Sequence, residues 1–164
     1  MRRNLIRERV AAVNLLCRLL ERFGGRVRGS ETHGHLRQVV EAEMKKIFKR
    51  SVDPLTVELR QLLARCEDMI QWQRRLDKQL VRLAQDNELC RRFMAIPGVG
   101  PICALTFLAA VDEPRRFEPA SKIASYLGLA PRLYESGLTV RRPGRISKMG
   151  NTSARTALVR AALI

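Results

Sequence analysis

The chain has 164 residues, enough for one ordinary domain with an extension or for two small ones, and a hydrophobic share of 46% argues against general disorder. Lys and Arg total 31 against 16 Asp and Glu, a net charge of +15. Arginine supplies 25 of those cations, and its planar guanidinium pairs with two phosphate oxygens at once, so the composition points to a polyanion, nucleic acid before any other. No stretch approaches the 18 or so uninterrupted apolar residues of a membrane span. Arg7 and Glu8 interrupt any apolar leader, so a signal peptide is not expected and a cytoplasmic, nucleoid-associated bacterial protein is.

In chain order, Arg2 to Phe23 reads as one amphipathic helix. Ile6, Val10, Val13, Cys17 and Leu20 recur in steps of four and three, and Gly24-Gly25 ends the pattern. Residues Gly24 to Gly34 are polar and glycine-rich, which predicts a mobile linker. A shorter helix follows, with Leu36, Val39, Val40, Ile47 and Phe48 on its apolar side. Asp53-Pro54 then supplies a cap and a proline suited to the first helical position. From there Leu59, Leu62, Cys66, Met69, Gln73, Leu76, Leu80 and Leu83 alternate in steps of three and four, the repeat of a left-handed coiled coil. That helix runs from Pro54 to about Asp86, roughly 50 Å. Its expected partner is the first helix folded back against it, or the same helix of another subunit. Gln73 weakens the seam and fixes its register.

Past Asp86 proline and glycine punctuate shorter elements, with helices expected at Leu89–Met94, Pro101–Val111, Pro119–Leu127 and Thr152–Leu163, the last capped by Asn151. Between Arg132 and Ser147 the chain reads as an extended hairpin or ordered loop. The fold class is therefore all-α: a helical coiled-coil region, 1–86, then a compact helical domain, 87–164, holding a helix-hairpin-helix-like element (89–111) and a small β-hairpin or loop (131–150).

Two constellations carry chemistry. Gly98 and Gly100 in IPGVGP let the backbone turn tightly and approach another surface, and Pro101 opens a helix whose bare amides suit a phosphate. Binding there carries no sequence preference, because only the nucleic-acid backbone is touched. The second spans 131–160, where Arg132, Arg141, Arg142, Arg145, Lys148, Arg155 and Arg160 face a single acid, Glu135. Ser136 sits in a turn beside Tyr134. Spacing alone makes such a serine a turn former or a phosphate contact; cations that hold a phosphate in line would make it a nucleophile. Ser147-Lys148 and Ser121-Lys122 are weaker candidates that orient a loop or cap a helix.

Cys17, Cys66, Cys90 and Cys103 lack zinc spacing and read as small core residues in a reducing compartment. His33 and His35 find no further ligands, the acids lack two-metal nuclease spacing, and no glycine-rich nucleotide loop is present.

The pieces IPGVGPICA, Arg116-Phe117, YLGLAPRLYESG and GRISKMGN followed by ARTALVRAA resemble the C-terminal domain of Piv-type recombinases and insertion-sequence family one-ten transposases. The likeness covers about Phe93 to Ala162, and the upstream helices look like the coiled coil that precedes this domain. By motif position the resemblance implies that Ser136 is the nucleophile, with Gly98, Gly100, Arg132, Arg141, Arg142, Arg145, Ser147, Lys148 and Arg155 as DNA contacts. It further implies DNA transposition or recombination, a homo-oligomer joined through the coiled coil, and room for a guide RNA. Full-length members pair this domain with a RuvC-like domain carrying four acids; no counterpart is seen here, so no cofactor is expected in this chain and Mg2+ only together with that domain. A transposase fragment that binds DNA without cutting it alone is the first expectation. A non-catalytic architectural binder and a repair-type helix-hairpin-helix module are the alternatives.

Overall fold

The computed structural model describes residues 1–27, 32–48, 54–134 and 142–164. Among them are seven α-helices and one two-stranded sheet, the all-α class expected. The chain forms two compact units, Met1–Lys78 and Gln79–Ile164.

In the first unit α1 (Arg2–Arg22), α2 (Thr32–Ile47) and the larger part of α3 (Pro54–Asp86) enclose one core. Leu16 and Leu20 of α1, Val40 of α2 and Cys66 of α3 are fully buried at its centre. Burying each such leucine or valine is worth about 1.5–3 kcal/mol over leaving it in water. α3 covers the range expected from its repeat; its expected cap, Asp53, lies outside the described residues. Arg2 Nε donates to Asp77 Oδ1 at 2.5 Å, so the start of α1 meets α3 near the end of this unit.

The faces that sink differ from those expected. On α1 the buried residues are Leu5, Val13, Leu16 and Leu20, whereas Val10 is 41% exposed and Ile6 and Cys17 only partly covered. On the part of α3 in this unit they are Thr56, Leu59, Leu63 and Cys66, with Ile70 packed alongside. Leu62 and Met69 are only half-buried, Gln73 is half-buried and donates to Asp77, and Leu83 is 56% exposed. Each helix keeps two expected residues seven apart (Val13 and Leu20; Leu59 and Cys66) and swaps the ones between for a neighbour. Apolar side chains flank both seams, and only the adjacent helices decide which flank goes inside. The linker after α1 also differs in part: Val27 is buried in this core, while residues 28–31 lie outside the described residues.

The second unit holds the end of α3, then α4 (Glu88–Met94), α5 (Pro101–Val111), a 3-10 turn (Pro114–Arg116), α6 (Ser121–Tyr126), β1 (Pro131–Tyr134), β2 (Arg142–Ile146) and α7 (Thr152–Ala161). Local chemistry sets these ends. Asn87 Oδ1 accepts from Cys90 N, and Asn151 Oδ1 accepts from the amides of Ser153 and Ala154, the cap expected. Pro101 starts α5 with Gly100 as its N-cap. α6 and α7 are shorter than expected by two to three residues at their ends. Small buried residues let the helices approach: Ala84, Cys90 and Ala104 form one core cluster, and Ala110, Leu127 and Ala154 another. Phe93 and Phe107 pack at 4.7 Å between ring centres. β1 and β2 pair antiparallel, Pro131 with Ile146 and Tyr134 with Arg142, with an irregularity between Pro131 and Leu133.

All four cysteines are free; Cys66 and Cys90 are buried, Cys17 and Cys103 partly so, and burial pushes each thiol above its ordinary range. Among the described residues no helix is long and apolar enough to cross a membrane.

Candidate nucleic-acid interface

The base of the hairpin is locked to the end of α6 by two glycines. Gly128 has φ +71, and a Cβ there would lie 1.9 Å from Met149 O. Gly150 has φ +104, and its Cβ would lie 2.1 Å from Tyr126 O. Only a residue without a side chain permits either approach. Two backbone bonds complete the lock, Ser147 N to Ala130 O at 2.9 Å and Lys148 N to Gly128 O at 3.1 Å. Lys148 is held at φ 58, a left-handed conformation that costs a non-glycine residue about 1 kcal/mol.

This lock positions an open cleft of about 370 Å³ lined by Arg132, Arg145, Ile146 and Lys148. The three cations are exposed, make no ion pair among the described residues, and no described acid lines the cleft. Arg132 Nη2 donates to Ser147 O at 3.1 Å, its one hydrogen bond among the described residues. Three cations around one cleft suit an anion of phosphodiester size. Arg142 opens β2 opposite Tyr134. Ser136 and Arg141 lie outside the described residues; in sequence they fall between the two strands.

The remaining expected contacts are elsewhere. A Cβ on Gly98 would sit 2.1 Å from Ala161 O, so the close approach this glycine permits is taken up by the end of α7. Gly100 has open space around its Cα, and no side chain caps α5. The turn before α5 thus meets the last residue of α7, whereas Lys148 of the cleft precedes the N-cap of α7, Asn151, by three residues. Arg155, between them, is buried at 9% exposure; its Nη1 donates to Leu127 O and its Nη2 to Thr152 Oγ1. Its charge is turned into the fold, not toward the cleft.

One grouping was not legible in advance. Arg116 Cζ lies 4.9 Å from the centre of the Phe117 ring and 5.4 Å from that of Tyr126, and the rings are 5.0 Å apart. This fastens the 3-10 turn to α6. The Arg116-Phe117 pair stood out in sequence, but nothing there connected it to Tyr126.

Residues 90–164 match the family model described as transposase IS116/IS110/IS902 family. This stretch of the chain is similar to that transposase family. Over 99% of its length it is 30% identical to a probable family 20 transposase of Pseudomonas aeruginosa, covering 47% of that protein. It is equally similar, at 30% identity over 99% of its length, to the transposase for insertion sequence element IS1111A of Coxiella burnetii, covering 44% of it. A pilin gene-inverting protein of Moraxella bovis is 33% identical over 48% of the chain and 24% of its own length. The chain spans about half the length of the first two relatives. Their likeness runs through both compact units, whereas the family model lies within the second.

Among the described residues no group of three or more His, Cys, Asp or Glu is placed to hold an ion.

Proposed function

We propose that this chain grips DNA and supplies the nucleophile of a transposition reaction, with the cleft of Arg132, Arg145 and Lys148 holding the phosphodiester that Ser136 attacks. The observation that carries the reading is the basic cleft at the base of the two strands between which Ser136 falls, inside the segment matched by the family model. In this reading the Ser136 hydroxyl forms a bond to phosphorus, a deoxyribose oxygen leaves, and the serine proton ends on that sugar hydroxyl. The product is a phosphoserine link between protein and strand, which conserves the bond energy for rejoining. Arg132 and Lys148 neutralise charge that builds on the non-bridging oxygens. In this reading an acidic domain outside the described residues would hold the metal ion.

The test mixes the full chain with nicked duplex DNA, with and without a RuvC-like domain of a relative in trans. Retarded mobility without a covalent product is expected for the chain alone. A protein–DNA adduct that survives denaturation and maps by mass spectrometry to Ser136 is expected with the partner domain. An adduct undiminished in Ser136→Ala defeats the assignment. In a second reading, an architectural binder, Ser136→Ala changes nothing under any condition.

A further inference from the structure

α1 carries four arginines on its solvent side, Arg3, Arg7, Arg18 and Arg22, all exposed. Steps of four and eleven residues return to nearly the same side of a helix with 3.6 residues per turn. That side is opposite Leu5, Val13, Leu16 and Leu20, which are buried. Of the acids of this helix Glu8 lies beside the stripe and Glu21 on its edge, three residues after Arg18, yet none of the four arginines makes an ion pair among the described residues.

A helix face built only for water interleaves opposite charges at i,i+4; here Arg3 with Arg7 and Arg18 with Arg22 are like-charge i,i+4 pairs, which weaken a helix. The first turn of α1 holds no acid, and it places Arg3 near the positive end of the helix dipole, where a cation is disfavoured. The sequence thus tolerates two local electrostatic costs on one face, and a bound polyanion would reverse both. From Arg3 to Arg22 the stripe is about 28 Å long at 1.5 Å per residue, close to the ~34 Å of one duplex turn.

We infer that the solvent face of α1 is a second contact for the backbone of duplex DNA, on the other compact unit from the cleft. This rests on the reading that the chain binds DNA. The contact is to phosphates alone, so it adds affinity and salt dependence without sequence preference.

The experiment titrates salt against binding of the full chain to a duplex of about 30 base pairs. It compares wild type, Arg3→Gln/Arg7→Gln/Arg18→Gln/Arg22→Gln, and the same four positions changed to Lys. The glutamine variant is expected to lose roughly three to four from the slope of log K against log salt, at about 0.9 per phosphate contact. The lysine variant should keep most of the slope, and helicity should be unchanged in both. A wild type with salt-insensitive binding removes DNA binding altogether, and this inference with it. A steep wild-type slope that the glutamine variant retains overturns the α1 contact alone. A slope lost only with a structured RNA, and not with the duplex, overturns the assignment to DNA.

Discussion

Arg155 Nη1 donates to the backbone carbonyl of Leu127 at 2.9 Å, across 28 residues of chain. The bond joins the first turns of α7 to the end of α6, beside the glycine lock that carries the hairpin. A guanidinium spent this way is structural. Arg155→Met is expected to cost about 1–3 kcal/mol in denaturant unfolding, because Leu127 O loses its buried partner. Its DNA salt slope should match wild type. Wild-type stability with a slope lower by about one would place Arg155 on the DNA instead.

The cleft cations behave oppositely. Arg132→Gln, Arg145→Gln and Lys148→Gln combined should lower the slope by roughly two to three and leave the melting temperature within a few degrees, since these side chains are exposed. Wild-type binding by the triple variant would show that the cleft meets no phosphate.

Two glycines of similar appearance in sequence should respond differently. Gly128→Ala forces a Cβ against Met149 O at a positive φ, and a loss of at least ~2 kcal/mol is expected. Gly100 lies at φ -86 with nothing near its Cα. There the entropic gain of alanine and its poorer capping oppose each other, and a change within ~0.5 kcal/mol is expected. Equal effects in a thermal melt would refute the lock.

The rotated seams are testable by truncation. Leu63→Ala should cost about 2–5 kcal/mol, as a deletion at a filled core site does. Leu62→Ala should cost well under half of that, because Leu62 is only half-buried. The reverse order in urea unfolding would restore the register that the heptad predicts.

Burial alone would raise the Asp77 carboxyl; the hydrogen bonds from Arg2 and Gln73 outweigh it and hold the pKa below the ordinary carboxylate range. A folded pKa below the unfolded one gives stability that is present above the unfolded value, near 3.9, and lost as pH falls through the folded one. Asp77→Asn should therefore be less stable at pH 7, by less than ~1 kcal/mol for a pair about a third exposed, and equal to wild type once the pH lies below the folded value. An identical difference at both pH values would mean that the pair's charge plays no part.

Much of this protein is legible locally. Asn151 caps α7, Pro101 starts α5 and the range of α3 follows from its repeat, because caps, prolines and helical periodicity act within a turn or two. The basic surplus is a matter of counting, and it implies a polyanion whatever the fold. The sequence also placed the cleft cations Arg132, Arg145 and Lys148 in one short segment. Three things were decided only by residues distant in the chain. Leu63 and Leu16 are buried where Leu62 and Cys17 were expected, since both flanks of each seam are apolar and the neighbouring helices choose between them. Gly98 receives the end of α7 in the space that, from the turn alone, seemed open to a phosphate. Arg155 turns inward because the Leu127 carbonyl lies within its reach. Local chemistry names the helices and their charges; which side of each is dry depends on what packs against it, and that is settled only when the chain closes on itself.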